Sequence, residues 1–291
     1  MNNQKPKISF RPIHLINEYG AHIRAFKPNA RMYLLNVIIT GGVMGVFRLL
    51  FNFFVLSLGF NEAMLCNLIT TSSFVALLAA LPLGYLADII GRKGSLIISG
   101  ALLSLSILAM SIWPSQEMFY AMNIVSGIAQ SLAGVTMSPF LMENSDEKER
   151  TYLFSFGQGL QMTMASVGNW IGGYLPTWMG NAQNVTATSS MAYGNSIFII
   201  GIGAAIAIIP LLSLKSPKLE KSQRAVFAPF HYAAKNPLLL TKLILPMLLT
   251  SLGAGLIMPF MNVFFRVVHN QPDTVIGTLF AWGSLAMGIG L

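Results

Sequence analysis

The stretch that decides the fold is GYLADIIGRKGSL, residues 84–96. It stands between two long apolar runs and gathers one acid, Asp88, with two bases, Arg92 and Lys93, within six residues. Its glycines allow a tight turn and a close approach of neighbouring helices. Apolar runs of about 20 residues cross a membrane as helices, because lipid leaves the backbone no other hydrogen-bonding partner. The stretch therefore predicts a charged loop between two membrane-spanning helices.

The composition of the whole chain also indicates a membrane protein. Of its 291 residues, 54% are hydrophobic and only 10% are charged, whereas a soluble globular chain carries about a quarter charged residues. The net charge of +8 would suggest nucleic acid only if the basic residues gathered on one soluble face, and here they follow the loops. The one cysteine, Cys66, lies inside an apolar run, so no disulfide framework or cysteine-based metal site is expected. We expect no cofactor, no metal and no nucleic-acid partner.

Outward from this loop, the apolar runs predict eight membrane spans. They lie at about 33–58, 62–86, 95–113, 117–142, 152–175, 194–214 and 240–265, with an eighth from about 274. The eighth is expected to stop short at Leu291, since only 18 residues follow Asp273. The predicted organisation is a tail at 1–31, a six-span bundle at 32–214, a linker at 215–239 and the incomplete start of a second bundle at 240–291.

The basic residues predict the orientation of the chain in the membrane. Sixteen of the 18 lysines and arginines fall before span 1 or in the segments after spans 2, 4 and 6, and none lies in the loops after spans 1, 3 and 5. Short cytoplasmic loops keep positive charge. We therefore expect a multi-pass protein of the cytoplasmic (inner) membrane with a cytoplasmic N-terminus. The tail at 12–27 is either an amphipathic helix on the inner surface or disordered.

Span 1 and span 7 share a pattern at an offset of 210 residues. The matched pairs are Gly45 with Gly255, Asn52 with Asn262, and Phe54 with Phe264. Glu62 and Asp273 each open the following span, as an acid at a helix N-terminus would. Many transporters are built from repeated halves with a substrate site between them. The pattern predicts two such halves.

The loop at 84–96 resembles the signature loop of the major facilitator superfamily, G-x-L-a-D-r-x-G-r-k-x-x-l. Ile89 replaces the arginine that follows the aspartate in that motif. The resemblance implies an all-α membrane protein, with the six-helix N-terminal bundle of that fold followed by span 7 and part of span 8. It also implies a loop that latches the two halves together on the cytoplasmic side, partly against a span 11 that this sequence lacks. The latch residues would be Gly84, Asp88, Gly91, Arg92 and Lys93, with Glu143 as the nearest partner for Arg92. The alternative is a solvated charged turn that only enforces topology.

Span 5 contains GNWIGGYL, residues 168–175, which resembles the motif G-P-x-x-G-G-x-L of the family's exporters. Asn169 replaces the proline, and helix packing through Gly168, Gly172 and Gly173 would explain the motif equally well. In span 4, Asn123 stands where the family's proton-coupled drug exporters carry an arginine. That departure argues against the proton-coupled subgroup, and a multidrug-type exporter is an alternative only because of the motif in span 5.

Arg48 is the one charged residue deep inside span 1. It shares a helical face with Gly41, Gly45 and Asn52. A charge at that depth is costly and usually faces a water-filled cavity, although it could also snorkel outward or bind a carbonyl. The predicted substrate pathway comprises Arg48, Asn52, Asn123, Gln130 and Asn262.

The sequence thus predicts a secondary active or facilitative carrier of a small solute. An arginine fork suits an anion, and some family members resembling organic-anion carriers place an arginine in span 1. All ten acidic residues fall in tails, loops or span ends, so no buried proton relay and no coupling ion is identified. The second hypothesis is a truncated, non-transporting membrane protein. An enzyme is not expected, because the chain has no P-loop, no H-E-x-x-H and no nucleophile elbow.

Overall fold

The computed structural model describes residues 26–215 and 235–290. The predicted amphipathic segment, up to residue 25, and the predicted linker, from 216 to 234, lie outside the described residues.

Within these ranges all regular structure is helical, which confirms the all-α prediction. The helices are α1 (Pro28–Ser57), α2 (Glu62–Ile90), α3 (Arg92–Ile112), α4 (Gln116–Glu143), α5 (Glu147–Gln183), α6 (Ser190–Ile206), α7 (Ile209–Leu212), α8 (Pro237–Ile257), α9 (Met261–Val267) and α10 (Asp273–Ile289). A 3₁₀ turn, Met258–Phe260, joins α8 to α9.

Six of the predicted spans are long and apolar enough to cross a membrane by length and composition. They are α1, α2, α3, α4, the stretch Ser190–Leu212 that joins α6 to α7, and the stretch Pro237–Val267 that joins α8 to α9. The chain is therefore a multi-pass membrane protein.

The two other predicted spans form helices but do not meet the same test. Helix α5 is the longest, with 37 residues, and runs beyond the predicted 152–175 at both ends. It starts with Glu147 and Glu149 in its first turn, where acids suit the helix dipole, and it stops at Asn184 with φ 57°. Helix α10 has only 17 residues. The evidence that these two helices belong to the bundle is their packing, because α5 packs along α1 and α10 packs along α5.

Helix α1 is the centre of the bundle, because α5 and α6 pack along it. Helices α2 and α3 pack on α4, and α10 packs along α5. The ends of the bundle differ in charge, and we name them accordingly. The basic end is the one where α1, α3 and α5 begin, near Lys27, Arg92 and Lys148; the far end is the opposite one.

Two hydrophobic clusters hold the bundle together. The larger contains Phe53, Phe54, Phe119 and Tyr193 near the far end, all less than 2% exposed. The smaller joins residues such as Tyr33, Phe140, Leu153 and Leu211 at the basic end. By contrast, α8 has no buried residue in the described structure, so its whole surface is open to lipid or to further helices.

Candidate functional site

The two asparagines matched by the repeat, Asn52 and Asn262, meet at the junction of α1 and α9. Asn52 Nδ2 donates to Asn262 Oδ1 at 2.9 Å, and both side chains are almost fully buried. Asn52 Nδ2 also donates to the carbonyl of Pro259 at 2.7 Å, while Asn262 Nδ2 donates to the carbonyl of Leu49 at 2.8 Å. Each amide thus binds the carbonyl three residues before the other asparagine. The pair joins the two repeats through a near two-fold arrangement.

The acceptor for Asn52 is free because the helix is broken at Pro259. A continuous helix would direct the N–H of Val263 to the Pro259 carbonyl, but here that N–H donates to Asn262 Oδ1 at 2.9 Å. Pro259 lies in the 3₁₀ turn between α8 and α9. The break therefore supplies the carbonyl that α1 binds. Asn52 and Asn262, two of the predicted pathway residues, are thus engaged by protein contacts in this structure.

The glycines of span 5 form a close contact with α1. A Cβ at Gly168 would lie 2.1 Å from the carbonyl oxygen of Gly42, and one at Gly172 would lie 3.2 Å from the Cα of Val46. On the other side of the contact, a Cβ at Gly45 would lie 2.4 Å from the carbonyl oxygen of Ala165. Only glycine permits this approach of the two backbones.

The third glycine of that motif packs against a different helix. A Cβ at Gly173 would lie 2.8 Å from the carbonyl oxygen of Asp273 and 3.2 Å from the Cα of Gly277, both in α10. Asn169 Nδ2 donates to Ser284 Oγ at 3.0 Å, also in α10. Helix α5 is thus wedged between span 1 of the first half and span 8 of the second, and the exporter-like motif lies at both contacts.

Arg48 lies on α1 between two of these contacts. Gly45, three residues before it, packs on α5, and Asn52, four residues after it, binds α9. Arg48 itself is exposed and makes no hydrogen bond or ion pair with any described residue. It is not bound to a carbonyl, so the interhelical binding considered from the sequence is absent from the part of the chain that the structure describes.

The two pathway residues predicted in α4 each donate a hydrogen bond to another residue of the same helix. Asn123 is buried, where it donates to the carbonyl of Phe119 at 2.8 Å and approaches the sulfur of Met110 in α3. Gln130 is exposed and donates to Ser126 Oγ at 3.1 Å. The structure brings neither residue into hydrogen-bond contact with Arg48 or with each other.

The charged loop at the basic end forms a compact ion cluster. Arg92 donates through Nη1 to Asp88 Oδ1 at 2.7 Å and through Nε to Glu143 Oε1 at 3.1 Å. The loop between α2 and α3 is thus tied to the end of α4. Glu143, the partner expected for Arg92 from the sequence, is one of the two carboxylates that Arg92 binds, and Asp88 is the other.

The other residues of the loop have distinct surroundings. Lys93 Nζ donates to the carbonyls of Leu212 and Leu214 at 2.6 and 2.7 Å, just after α7. Gly91 has φ 89°, which a residue with a side chain rarely adopts, so a glycine is needed at this turn. A Cβ at Gly84, within α2, would have no atom within 4 Å.

The sequence matches the family model described as Major Facilitator Superfamily over residues 33–291. That match covers most of the chain. The chain belongs to the major facilitator superfamily. No curated protein matches the chain. Members of the superfamily are membrane transporters, and the six-span bundle followed by the start of a second bundle agrees with the fold that the resemblance predicted.

Sequence reasoning missed a polar cluster at the far end of this superfamily fold. Arg266, near the end of α9, pairs with Asp273 Oδ1 at the start of α10. Its Nη2 also donates to the hydroxyl of Tyr193 at 2.6 Å, and that hydroxyl donates to Asp273 Oδ2 at 2.6 Å. The Arg266 guanidinium carbon stands 3.8 Å from the centre of the Phe53 ring. The only signal in the sequence was an arginine and an acid seven residues apart around a loop.

Proposed function

We propose that this member of the superfamily carries a small anionic solute by alternating access, with Arg48 as the group that binds the anion. The observation that carries the proposal is that Arg48 is a cation inside span 1 with no partner among the described residues. A charge within a membrane span without a protein partner needs water or a ligand. The planar fork of an arginine matches a carboxylate or phosphate group.

One face of α5 supports a pathway beside Arg48. Gln158, Met162 and Asn169 follow helical spacing and share this face. Asn169 lies next to both α1 and α10, since its backbone nitrogen lies near Gly45 of α1 and its side chain reaches α10. Gln158 has no hydrogen-bond partner in the described part of the chain and adds an amide to this face.

The proposal includes an orientation and a latch. Basic residues concentrate at one end of the bundle. We therefore place that end and the N-terminus on the cytoplasmic side of the inner membrane. The cluster of Arg92, Asp88 and Glu143 would then lie on the cytoplasmic side. The far-end contacts between the two halves correspond to a state closed on the outside. Opening the far end would shift the contact between halves to the Arg92 cluster.

The exporter alternative receives no separate support from the glycines of α5. Gly168, Gly172 and Gly173 are all needed for packing against α1 or α10, whatever the direction of transport. The hypothesis of a non-transporting membrane protein predicts that no solute stabilises the protein. The same binding experiment therefore tests that hypothesis too.

The test is a thermal-stability screen of the purified full-length protein with small carboxylates and phosphates, each paired with its uncharged amide or alcohol analogue. A bound ligand raises the melting temperature in proportion to the logarithm of its excess over Kd. The variant Arg48→Ala should weaken anion binding by about 10- to 100-fold, the range expected for losing a hydrogen bond to a charged group. Transport of the same anion into proteoliposomes should fall with it.

The matched control is Lys148→Ala, which removes one positive charge from an exposed position at the basic end. It should leave binding and transport unchanged. Arg48→Lys, which keeps the charge without the fork, should recover part of the affinity. Full anion transport by Arg48→Ala, at normal membrane insertion, would exclude Arg48 as the anion site.

A further inference from the structure

The far end of the bundle holds three polar groups from three helices around one aromatic ring. Arg266 ends α9, Asp273 begins α10 and Tyr193 lies in the first turn of α6. Phe53, in α1, lies beneath the guanidinium. Tyr193 is fully buried, and the side chains of Arg266 and Asp273 are 24% and 9% exposed.

The cluster divides unequally between the two halves of the protein. Its ion pair, Arg266 with Asp273, belongs entirely to the second half. The first half contributes no charge: it supplies the hydroxyl and ring of Tyr193 and the face of the Phe53 ring. The contacts of this cluster that cross between the halves are therefore two hydrogen bonds of a neutral hydroxyl and two cation–π contacts, to the rings of Phe53 and Tyr193.

This division matters for a contact that must break and re-form. Separating the partners of a buried ion pair is expensive, because each charge then needs another partner or water. Here the two halves part without separating the ion pair, since both charges stay together on the second half. Hydrogen bonds to charged groups and cation–π contacts still favour the closed state. The closed end is stable, and opening it leaves no charge without its counterion.

We propose that Tyr193, Arg266, Asp273 and Phe53 form the gate that closes the far end of the solute pathway. Tyr193 is the positioning residue that joins the halves, and the ion pair is the fixed surface to which it binds. The inference rests on alternating access as proposed above. It does not depend on what solute the protein carries or on the role of Arg48.

The neighbouring contacts agree with a gate at this level. The backbone of Asp273 packs on Gly173 of α5, so the start of α10 is fixed close to the first half when the cluster is formed. The Asn52–Asn262 pair joins α1 to α9 about one turn before Arg266. The far end is thus held by two separate sets of polar contacts, of which only the Tyr193 cluster contains charge.

The experiment measures the accessibility of the pathway from the far side, without any solute. Cys66→Ser removes the one native cysteine, and Met162→Cys places a reporter thiol on the pathway face of α5. The rate of labelling by a membrane-impermeant maleimide is measured on the far side of vesicles of known orientation. In Tyr193→Phe, which loses both hydrogen bonds but keeps the ring, the rate should rise by about tenfold or more.

The matched control is Tyr33→Phe, which makes the same chemical change in the cluster at the basic end. Its labelling rate should equal that of the parent. Phe53→Leu, which removes the cation–π face but keeps an apolar side chain, should also raise the rate. All three variants are compared with the parent for melting temperature, so that an unfolded protein is not mistaken for an open pathway.

An unchanged labelling rate in folded Tyr193→Phe would overturn the gate, and so would an equal rise in Tyr33→Phe. The outcomes separate the two proposals. If Arg48→Ala transports the anion normally while Tyr193→Phe opens the far end, the anion site is wrong and the gate stands. If anion binding depends on Arg48 while labelling never changes, the gate alone is wrong.

Discussion

The two asparagines at the junction of α1 and α9 show that residue type and position in a span do not by themselves define the role of a polar side chain. The sequence placed Asn52 and Asn262 on a pathway because both are polar and lie in equivalent spans. In the structure each amide binds the other asparagine's helix, and both are buried. A buried amide is stabilised only when its donors and acceptors are all satisfied. Here Asn52 Nδ2 has two acceptors and Asn262 both donates and accepts, all with protein groups and without a solute.

The first prediction concerns the direction of these hydrogen bonds. Asn52 donates to two acceptors, Pro259 O and Asn262 Oδ1. Asn52→Asp would place a carboxylate against two oxygens, whereas Asn52→Ala only removes the donor. We expect Asn52→Ala to lower the free energy of unfolding by about 1–3 kcal/mol, and Asn52→Asp to lower it further.

Thermal unfolding in detergent measures both changes. The double variant Asn52→Ala with Asn262→Ala should cost less than the sum of the single variants, because the two residues share a hydrogen bond. Strict additivity, or an Asn52→Asp variant as stable as the parent, would contradict the contact.

At the scale of elements, α5 is the helix that joins the two halves. It packs on α1 through Gly168 and Gly172 and on α10 through Gly173. The sequence correctly placed a helix with small residues here but could not assign them to partners, because one motif serves two contacts on different faces. Helix α5 is also less apolar than the six stretches that meet the length and composition test for a membrane span. A helix packed along two neighbours needs less apolar surface than one surrounded by lipid.

The second prediction tests that close contact. Gly168→Ala would place a methyl group 2.1 Å from the backbone oxygen of Gly42, where no flexible side chain can move aside. Overpacking of this kind costs about 1–3 kcal/mol. The melting temperature should fall, and the α1–α5 contact should be lost first in a cross-linking assay.

The control is Gly134→Ala in α4, where a Cβ would have no atom within 4 Å. Alanine favours a helix by up to about 1 kcal/mol over glycine, so this variant should be as stable as the parent or more so. Equal destabilisation by both substitutions would point to a general loss of flexibility rather than to the contact with Gly42.

At the scale of the whole molecule, the distribution of charge supports the proposed orientation. Lys27, Arg92, Lys93 and Lys148 all lie at one end of the described bundle, while Arg266 is the one basic residue at the other end, where Asp273 neutralises it. An arginine neutralised in this way does not oppose the rule that positive charge stays in the cytoplasm.

The third prediction is the sidedness of two thiols. Cys66 lies exposed in α2, one turn from its far-end start, and should react with an impermeant maleimide added outside intact cells. Lys148→Cys in a Cys66→Ser background should react only after the membrane is permeabilised, because it lies at the basic end. The reverse pattern would invert the proposed orientation.

The sequence by itself determined the family, the helices and the likeness of the two repeats. It did so because lipid allows few backbone structures and because the loop at 84–96 combines glycine and charge in a specific order. The sequence also indicated Glu143 as a partner of Arg92, because Glu143 is the acid at the end of α4. These features depend on local composition and spacing.

Only the tertiary structure decided which polar groups are engaged. Asn52, Asn123 and Arg48 look alike in a sequence, as polar residues in apolar spans. The first two are satisfied by hydrogen bonds, and the third has no partner among the described residues. The cluster of Arg266, Asp273 and Tyr193 joins residues up to 80 positions apart, which no local pattern encodes. A polar side chain within a membrane span has a hydrogen-bond partner only if a suitable group on another residue faces it. Which groups face it is decided when the helices pack.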